Sequence, residues 1–512
     1  MLLRIKLGCV TAQEFNSSCY QRGVPGQSFQ KVIWRAFQTR VSLVNAPYSL
    51  EDLVGTTKSM KGIMNVVQPL GIGYLAAVLE ENGYDVNVED CQCLGTSHTE
   101  LASILAKKSP DIVGISATTP TFGSSILAAS MVKERLPDAV VVVGGAQVCA
   151  LPEETMSYNC FDVGVWGEGE LTMLELAAHV RNHGLAHLDR VKGIVFRRNG
   201  SVVQTERRPL IRNLDELPFP ARHLLPALSK YHPAPTSYRR LPNATIMTSR
   251  GCAGARCAFC DRSGMGFSVR FRSVESVFDE IEELIEVHGT RDIKFFDDTF
   301  TLNPKRVFQI CQEFERRGID IPWCCLARTN TVSREMLKAM KDAGCWQVLY
   351  GLESMDENVL RNLKKLTTVE QNVRAVEWSH EVGISVRANF IVGTPFDTWE
   401  TMEKSLKDAI RLNMDFAHFN KFTPYPGCEL YKMLTAQGYH FDPAKWDSQH
   451  DMKGTIMYTP PGMTEGDYRR WLVEAHRRYY LRAGYVLKQL SKIRSPEDLR
   501  RLWSGFRAVT DL

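Results

Sequence analysis

Long apolar runs are missing from this 512-residue chain, and none approaches the about 18 consecutive residues of a membrane span. A one-sided charge is missing too. The net charge is only +4, too small for a general nucleic-acid binder. There is no internal repeat, no low-complexity segment, and neither a GxGxxG nor a GxxxxGK[ST] loop, which weakens a nucleotide-binding reading. Residues 1–10 carry Arg4 and Lys6 inside an apolar patch, with no small-residue cleavage site behind it, so a secretory signal is not expected. Fourteen cysteines without an export signal then point to the reducing cytoplasm, where clustered cysteine means metal or catalysis rather than disulfides. Hydrophobic residues make up 44% and charged residues 23%, as in an ordinary globular protein. The length calls for about two to four domains, at roughly 100–200 residues each.

Patterning divides the chain. Residues 1–40 carry little pattern and read as an extension. From residue 41 to 185 apolar strands alternate with helical stretches. The strands are 41–45, 85–90, 111–116, 139–143 and 162–166, with helices at 70–82, 98–108 and 124–135. That rhythm predicts an open, doubly wound parallel sheet. Seven prolines break it between 186 and 242, where a linker is expected to hold a small hairpin turning at Asn199-Gly200. A second β/α series follows over 243–445, with strands at 244–248, 292–296, 323–327, 347–351, 385–392 and 418–422. Six such units suggest a partial (β/α)6 barrel, whose reactive residues sit on loops at the C-terminal strand ends.

Residues 446–512 read as a helical tail. From Tyr468 to Arg507 eleven Lys/Arg face three Asp/Glu, with Trp471, Tyr479, Tyr480, Tyr485, Trp503 and Phe506 interleaved. Such a segment suits a solvated helical cover over another domain. It also suits a basic face for an anionic lipid surface or substrate. His179, His183 and His187 recur at helical spacing, but Gly184 should end that helix before His187, so a metal face is not expected.

The densest chemical signal is the loop after the first barrel strand, Cys252-Ala253-Gly254-Ala255-Arg256-Cys257-Ala258-Phe259-Cys260. Three soft thiolates from one loop suit an iron–sulfur cluster or a zinc ion. A structural zinc would need a fourth ligand, and no knuckle-spaced partner lies nearby; adjacent Cys324 and Cys325 would point to opposite faces of their strand.

This loop resembles the cluster motif of the radical S-adenosylmethionine (SAM) superfamily, including the aromatic Phe259 before the last cysteine. It departs from the usual CxxxCxxC by one extra residue between Cys252 and Cys257, which Gly254 could absorb. The later strand ends, Asp297-Asp298, Arg328, Glu353, Val392 and Thr423 to Gly427, are similar to those of the superfamily's cobalamin-linked branch. The resemblance implies a 4Fe-4S cluster on Cys252, Cys257 and Cys260, with one iron open to S-adenosyl-L-methionine. It further implies Asp297 or Asp298 and Glu353 for the cofactor's ammonium or ribose, Arg328 for its carboxylate, and Phe259 and Val392 for its adenine. In the first sheet, Pro69, Leu70, Ser116, Thr118, Thr119, Gly144, Gly145, Gln147, Glu168, Gly169 and Glu170 resemble the cobalamin-binding fold. None of the twelve histidines has an aspartate two residues before it, so the DxHxxG loop that supplies a lower cobalt ligand is absent.

The resemblance implies reductive cleavage of SAM to a 5′-deoxyadenosyl radical, hydrogen abstraction from an unactivated carbon, and methyl transfer from methylcobalamin. An electron donor such as flavodoxin or ferredoxin is implied as partner. Oxidative cyclisation or ring rearrangement, as in the anaerobic porphyrin-ester cyclase, uses the same cofactors and stays open. The substrate is not legible; Tyr425, Trp446 and Trp323 are pocket candidates, and lipid, tetrapyrrole and peptide all remain.

Overall fold

The computed structural model describes residues 39–48, 65–252, 256–448 and 454–511. Residues 1–38 of the expected extension, and Gly254 in the cysteine loop, lie outside the described residues.

The first sheet is built from β1 (Arg40–Asn45), β2 (Asp85–Asp90), β3 (Ile112–Ser116), β4 (Val140–Gly144) and β5 (Val163–Val165). All five run parallel. Four consecutive valines make β4 apolar on both faces, as a strand covered by helices on either side requires. Those covers are α1 (Leu70–Glu81), α2 (His98–Lys108), α3 (Phe122–Arg135) and α4 (Glu170–His183). Ser97 starts α2 with a reciprocal capping box to Glu100. Two apolar cores result, one on each face of the sheet.

The hairpin expected in the linker is part of that sheet. Its strands β6 (Ile194–Arg198) and β7 (Ser201–Gln204) add antiparallel beyond β5, giving the order β2-β1-β3-β4-β5-β6-β7. The reason is visible in Ile194, Val195 and Phe196, which are fully or nearly buried and complete the sheet's cores. The histidine trio behaves as its spacing implied. Gly184 caps α4, His187 falls outside it, and His179 Nε2 lies 2.6 Å from the Ala186 carbonyl oxygen.

The second unit is a six-stranded parallel sheet: β8 (Asn243–Ile246), β9 (Asp292–Phe295), β10 (Trp323–Ala327), β11 (Cys345–Glu353), β12 (Ser385–Val392) and β13 (Phe416–Lys421), hydrogen-bonded in chain order. Helices α5 (Val274–Glu286), α6 (Pro304–Arg317), α7 (Arg334–Asp342), α8 (Val369–Glu381) and α9 (Trp399–Leu412) alternate with the strands. Every second strand residue, such as Ile293, Phe295, Val386, Ala388 and Phe390, joins one large core against these helices. The alternate residues face the concave side.

Helices α10 (Glu465–Tyr480) and α11 (Ala483–Leu490) close the open edge at β13. Tyrosines do this work. Tyr468 Oη donates to the Val392 carbonyl at 2.6 Å, Tyr479 Oη to that of Met414 at 2.7 Å, and Tyr480 Oη to that of Ala417 at 2.8 Å. Covering an edge strand satisfies backbone groups that would otherwise template aggregation. In contrast, α12 (Pro496–Thr510) leaves Leu499, Trp503 and Phe506 exposed. No described helix is long and apolar enough to cross a membrane.

Candidate active site

The cysteine loop follows β8, with Cys252, Cys257 and Cys260 at the C-terminal mouth of the barrel. Four hydrogen bonds fix where the loop starts. Thr248 and Ser249 donate both their backbone N–H and their hydroxyls to the Asp297 carboxylate, at 2.5–3.2 Å. Burial pushes the Asp297 carboxyl up, and the Thr248 and Ser249 hydrogen bonds oppose that rise. This corrects one expectation: Asp297 is consumed within the protein and acts as a clamp on the loop. Its neighbour Asp298 is the half-exposed member of the pair and meets Arg262 at 3.1 Å.

The far side of the loop rests on residues 363–366. Ala258 N donates to the Leu363 carbonyl at 2.9 Å, and Lys365 Nζ lies 5.8 Å from the Phe259 ring centroid. Lys365 Nζ also pairs with Glu353 Oε1 at 2.7 Å, both side chains being buried. Arg328 donates to the Lys365 carbonyl and places Nη1 3.7 Å from Cys257 Sγ. Glu353, Lys364 and Leu366 all hold positive φ, at 64°, 54° and 56°. Backbone strain of that kind in non-glycine residues persists only where the surroundings impose it. Lys365 was not singled out from the sequence, because a Lys-Lys pair in a loop has no periodicity to distinguish it.

Val392 requires a second correction. Its side chain is buried in the helix-facing core, so it does not face the mouth. Ile391, one residue earlier, packs against the same apolar cluster as Phe259. Trp323 is likewise outward, packed among Phe295, Phe300 and Phe314. Tyr425 stacks on Trp446 at 6.3 Å.

The first sheet presents its own C-terminal mouth. Ala117 N donates to the Gly144 carbonyl at 2.7 Å, and Gln147 N to that of Ala117 at 3.3 Å, joining the loops after β3 and β4. Gly145 has φ +112°, and a Cβ there would meet Ala117 O at 2.5 Å. Its missing side chain is therefore required by the protein's own backbone. Gly144 has no such neighbour; a Cβ would meet only Val165, 3.8 Å away or more. Thr118 and Thr121 close a small turn, leaving Thr118 exposed and Thr119 buried. Ser116 ends β3 half-buried, and Pro69 and Leu70 open α1, Leu70 pointing into the core.

Glu168 and Glu170 give the third correction. Arg250, two residues before Cys252, pairs with Glu168 at 2.9 Å and Glu170 at 2.6 Å, and Arg270 pairs with Glu168 at 2.7 Å. Burial would raise the Glu168 carboxyl; hydrogen bonds from Arg270 and Arg250 outweigh it and bring it below the ordinary value. These carboxylates bolt the first sheet to the cysteine loop. Gly169 between them packs against Leu75.

The two mouths meet. A Cβ on Gly264, just past Cys260, would lie 3.4 Å from Cys149 Sγ, and one on Gly427 3.2 Å from Ala150 Cβ. Arg207 Nη2 donates to the carbonyls of Ser263 and Gly264, each at 2.7 Å.

The residues present fit the expected groups. Cys252 and Cys257 are both within electrostatic reach of Cys260, whose thiol is pushed up by burial and eased down by Arg262. Among the described residues no three His, Cys, Asp or Glu side chains are arranged to hold one metal ion. Three thiolates from one loop suit a polynuclear iron–sulfur cluster, which is held by cysteine thiolates. At the other mouth Gln147 is fully buried and neither atom of its amide has a partner. A buried amide left open in that way calls for a polar ligand such as the corrin periphery.

An open sheet whose mouth abuts the cysteine-bearing mouth of a partial barrel brings two candidate cofactor sites together. The Radical SAM superfamily model matches residues 246–409, and the B12 binding domain model matches 62–177. The chain is 38% identical over 391 residues to an uncharacterized methyltransferase of Pyrococcus horikoshii, covering 76% of this chain and 81% of that one. It is 30% identical over 434 residues to the anaerobic magnesium-protoporphyrin IX monomethyl ester cyclase of Rubrivivax gelatinosus, covering 83% and 76%. Its fold is similar to that of the cobalamin-dependent SAM radical enzyme OxsB, with TM-score 0.70 and 19% identity over 93% of this chain and 72% of that one. The chain belongs to the cobalamin-dependent radical SAM enzyme family. Its class is the radical SAM methyltransferases, and its cofactors are a 4Fe-4S cluster, S-adenosylmethionine and cobalamin.

Proposed function

We propose that this enzyme methylates an unactivated carbon of a small biosynthetic substrate held between the two mouths. The observation that carries this reading is their contact, Cys149 and Ala150 of the first sheet against the loops bearing Gly264 and Gly427. When bound, the cluster and S-adenosylmethionine supply a hydrogen-abstracting radical and cobalamin supplies the methyl group.

The chain's own residues bind, orient and exclude water. Cys252, Cys257 and Cys260 hold the cluster, and the Arg328 guanidinium places positive charge beside Cys257. Asp297 fixes where the loop begins. Glu353, oriented by Lys365, is placed for the ammonium or ribose of S-adenosylmethionine, with Asp298 nearby and Phe259 and Ile391 as the apolar wall for adenine. Gly144, Gly145, Ser116, Thr118 and Gln147 line the corrin side. The Arg250–Glu168–Arg270 cluster keeps the mouths in register, which reactive intermediates require.

The kinship with an ester cyclase at 30% identity supports a second reading, oxidative cyclisation with the same cofactors. Product mass separates the two. Methyl transfer adds one carbon to the substrate, and a product without it overturns the first reading. A low-potential flavodoxin or ferredoxin in the cytoplasm is the proposed reductant. The exposed Leu499, Trp503 and Phe506 beside Arg500 and Arg507 support contact of α12 with an anionic lipid surface. Unchanged sedimentation with anionic vesicles would end that idea.

A further inference from the structure

Below the cysteine mouth, the concave face of the barrel is lined by residues that the reading above does not use. Lys294, Cys324, Arg387 and His418 each lie between two residues of the helix-facing core, so all four side chains face inward. Thr245 and Gln347 join them by register: Thr245 pairs with Lys294, Lys294 with Cys324, and Cys324 with Gln347. The result is one polar row across four adjacent strands, with Arg387 and His418 on the next two.

Several polar atoms of this row are left without a partner. Thr245 Oγ1, Gln347 Nε2, Arg387 Nε and His418 Nε2 are buried without a hydrogen-bond partner. Arg387 spends Nη1 on Ser237 Oγ at 2.8 Å. Lys294 is buried too. Its ammonium lies 5.3 Å from the Phe296 ring centroid, and among the described residues no ion pair holds it. Its electrostatic neighbours are Cys324 and Arg387. Burial, then Arg387, pushes the Lys294 amine down, and burial followed by Arg387 pushes the His418 imidazole well down.

The one acidic side chain on the same face of β9 is already taken. Asp292 accepts from the backbone N–H of Arg239 and Arg240 and from Asn243 Nδ2, at 2.5–3.1 Å. Glu353, higher up, is paired with Lys365. One buried and one partly buried cation, Lys294 and Arg387, thus share this inner face with three neutral polar groups, and among the described residues no carboxylate pairs with either. Burying uncompensated charge is costly unless something arrives to pair with it.

We propose that Lys294 and Arg387, with Thr245, Gln347 and His418, form a binding site for an oxyanion of the substrate, a carboxylate or a phosphate. The proposal rests on the reading of this barrel as the substrate-holding half of the enzyme. It narrows the substrate class to molecules whose reacting carbon lies at the cysteine mouth and whose anionic end reaches the barrel floor. The site is a positioning device: it fixes how deep the substrate enters, and so which carbon meets the radical.

The test needs no turnover. Thermal unfolding of the anaerobically reconstituted full chain is followed as chloride is replaced by inorganic phosphate or by acetate at constant ionic strength. A saturable rise in midpoint is expected with at least one anion, and which one distinguishes phosphate from carboxylate. Lys294→Met and Arg387→Met should each weaken that apparent affinity by about tenfold or more, and Lys294→Arg should retain most of it. Without added anion, Lys294→Met should unfold at a higher temperature than the parent, because it removes a buried charge that nothing balances. A purely structural lysine would give the opposite sign. No saturable rise, an equal rise in Lys294→Met, or a lower midpoint of that variant without anion would each overturn the proposal. So would a rise given by S-adenosylmethionine alone that vanishes in Lys294→Met, since the site would then serve the cofactor. If Arg387→Met does not fold, the two Lys294 variants carry the test. Failure of the methylation reading shows separately, as an unmethylated product with anion binding intact.

Discussion

Two sets of buried charge in the same barrel differ in one respect. Around Glu280 both cations reach a carboxylate. Arg222 Nη2 meets Glu280 Oε1 at 2.6 Å with both side chains almost inaccessible, Arg272 takes the other oxygen, and Arg222 also donates to Gln68 Oε1 at 2.7 Å and the Thr245 carbonyl at 3.0 Å. Around Lys294 and Arg387, by contrast, polar atoms are left without partners, and among the described residues no carboxylate is paired with either. The first set belongs to the architecture: it fastens Gln68, ahead of α1, to α5 of the barrel. The second is incomplete as the chain stands. Closed networks hold a fold together, and open ones are addressed to something that arrives later. The same contrast separates Asp297, consumed by Thr248 and Ser249, from the three cysteines beside it.

The largest effect should come from opening the ligand set itself. Cys257→Ala is expected to remove the cluster's visible absorbance and all detectable activity. Its far-UV circular dichroism should match the parent, since the first sheet does not depend on the cluster. Next comes the closed network. Glu280→Gln should destabilise the chain by roughly 3–5 kcal/mol, because Arg222 and Arg272 would keep buried charge with no counter-ion. Denaturant unfolding measures it, and a loss below about 1 kcal/mol would erase the distinction between closed and open sets.

A smaller effect separates two adjacent glycines. Gly145→Ala should cost roughly 1–3 kcal/mol through its positive φ and its contact with the Ala117 carbonyl. Gly144→Ala should fold almost normally. Cobalamin bound per folded chain then reports on the mouth itself; equal stability of the two variants would contradict the backbone argument.

A further effect is a pH slope. Burial raises the Asp292 carboxyl from 3.8 to about 7 in the folded chain, so the folded state holds its proton more tightly than the unfolded one. That contribution to stability is complete below about pH 4 and is lost as pH rises through about 7. Asp292→Asn should therefore gain on the parent as pH increases across that window. A gap that stays constant would show that the carboxyl is not raised.

Much of this is legible in the sequence alone. Strand periodicity located both parallel sheets, since Val140 to Val143 or Ser385 to Val392 have few other ways to bury their side chains. The three cysteines were legible because thiolates at that spacing have a narrow chemistry. What escaped the sequence was pairing over long separations. Glu168 and Glu170 looked like ligand groups until Arg250 and Arg270, some eighty to one hundred residues on, were seen to take them. Val392 and Ile391 were exchanged because the sequence marks alternation but not which face is inward. Lys294 and His418 drew no attention because a polar residue inside a strand becomes unusual only once its partners are known to be missing.

The most direct measurement is the metal and corrin content of the full chain, purified anaerobically with iron, sulfide and hydroxocobalamin supplied. About four irons and about one cobalt per chain, with iron lost and cobalt kept in Cys257→Ala, is the result this account predicts. Zinc in place of iron, or full iron content in Cys257→Ala, would contradict it.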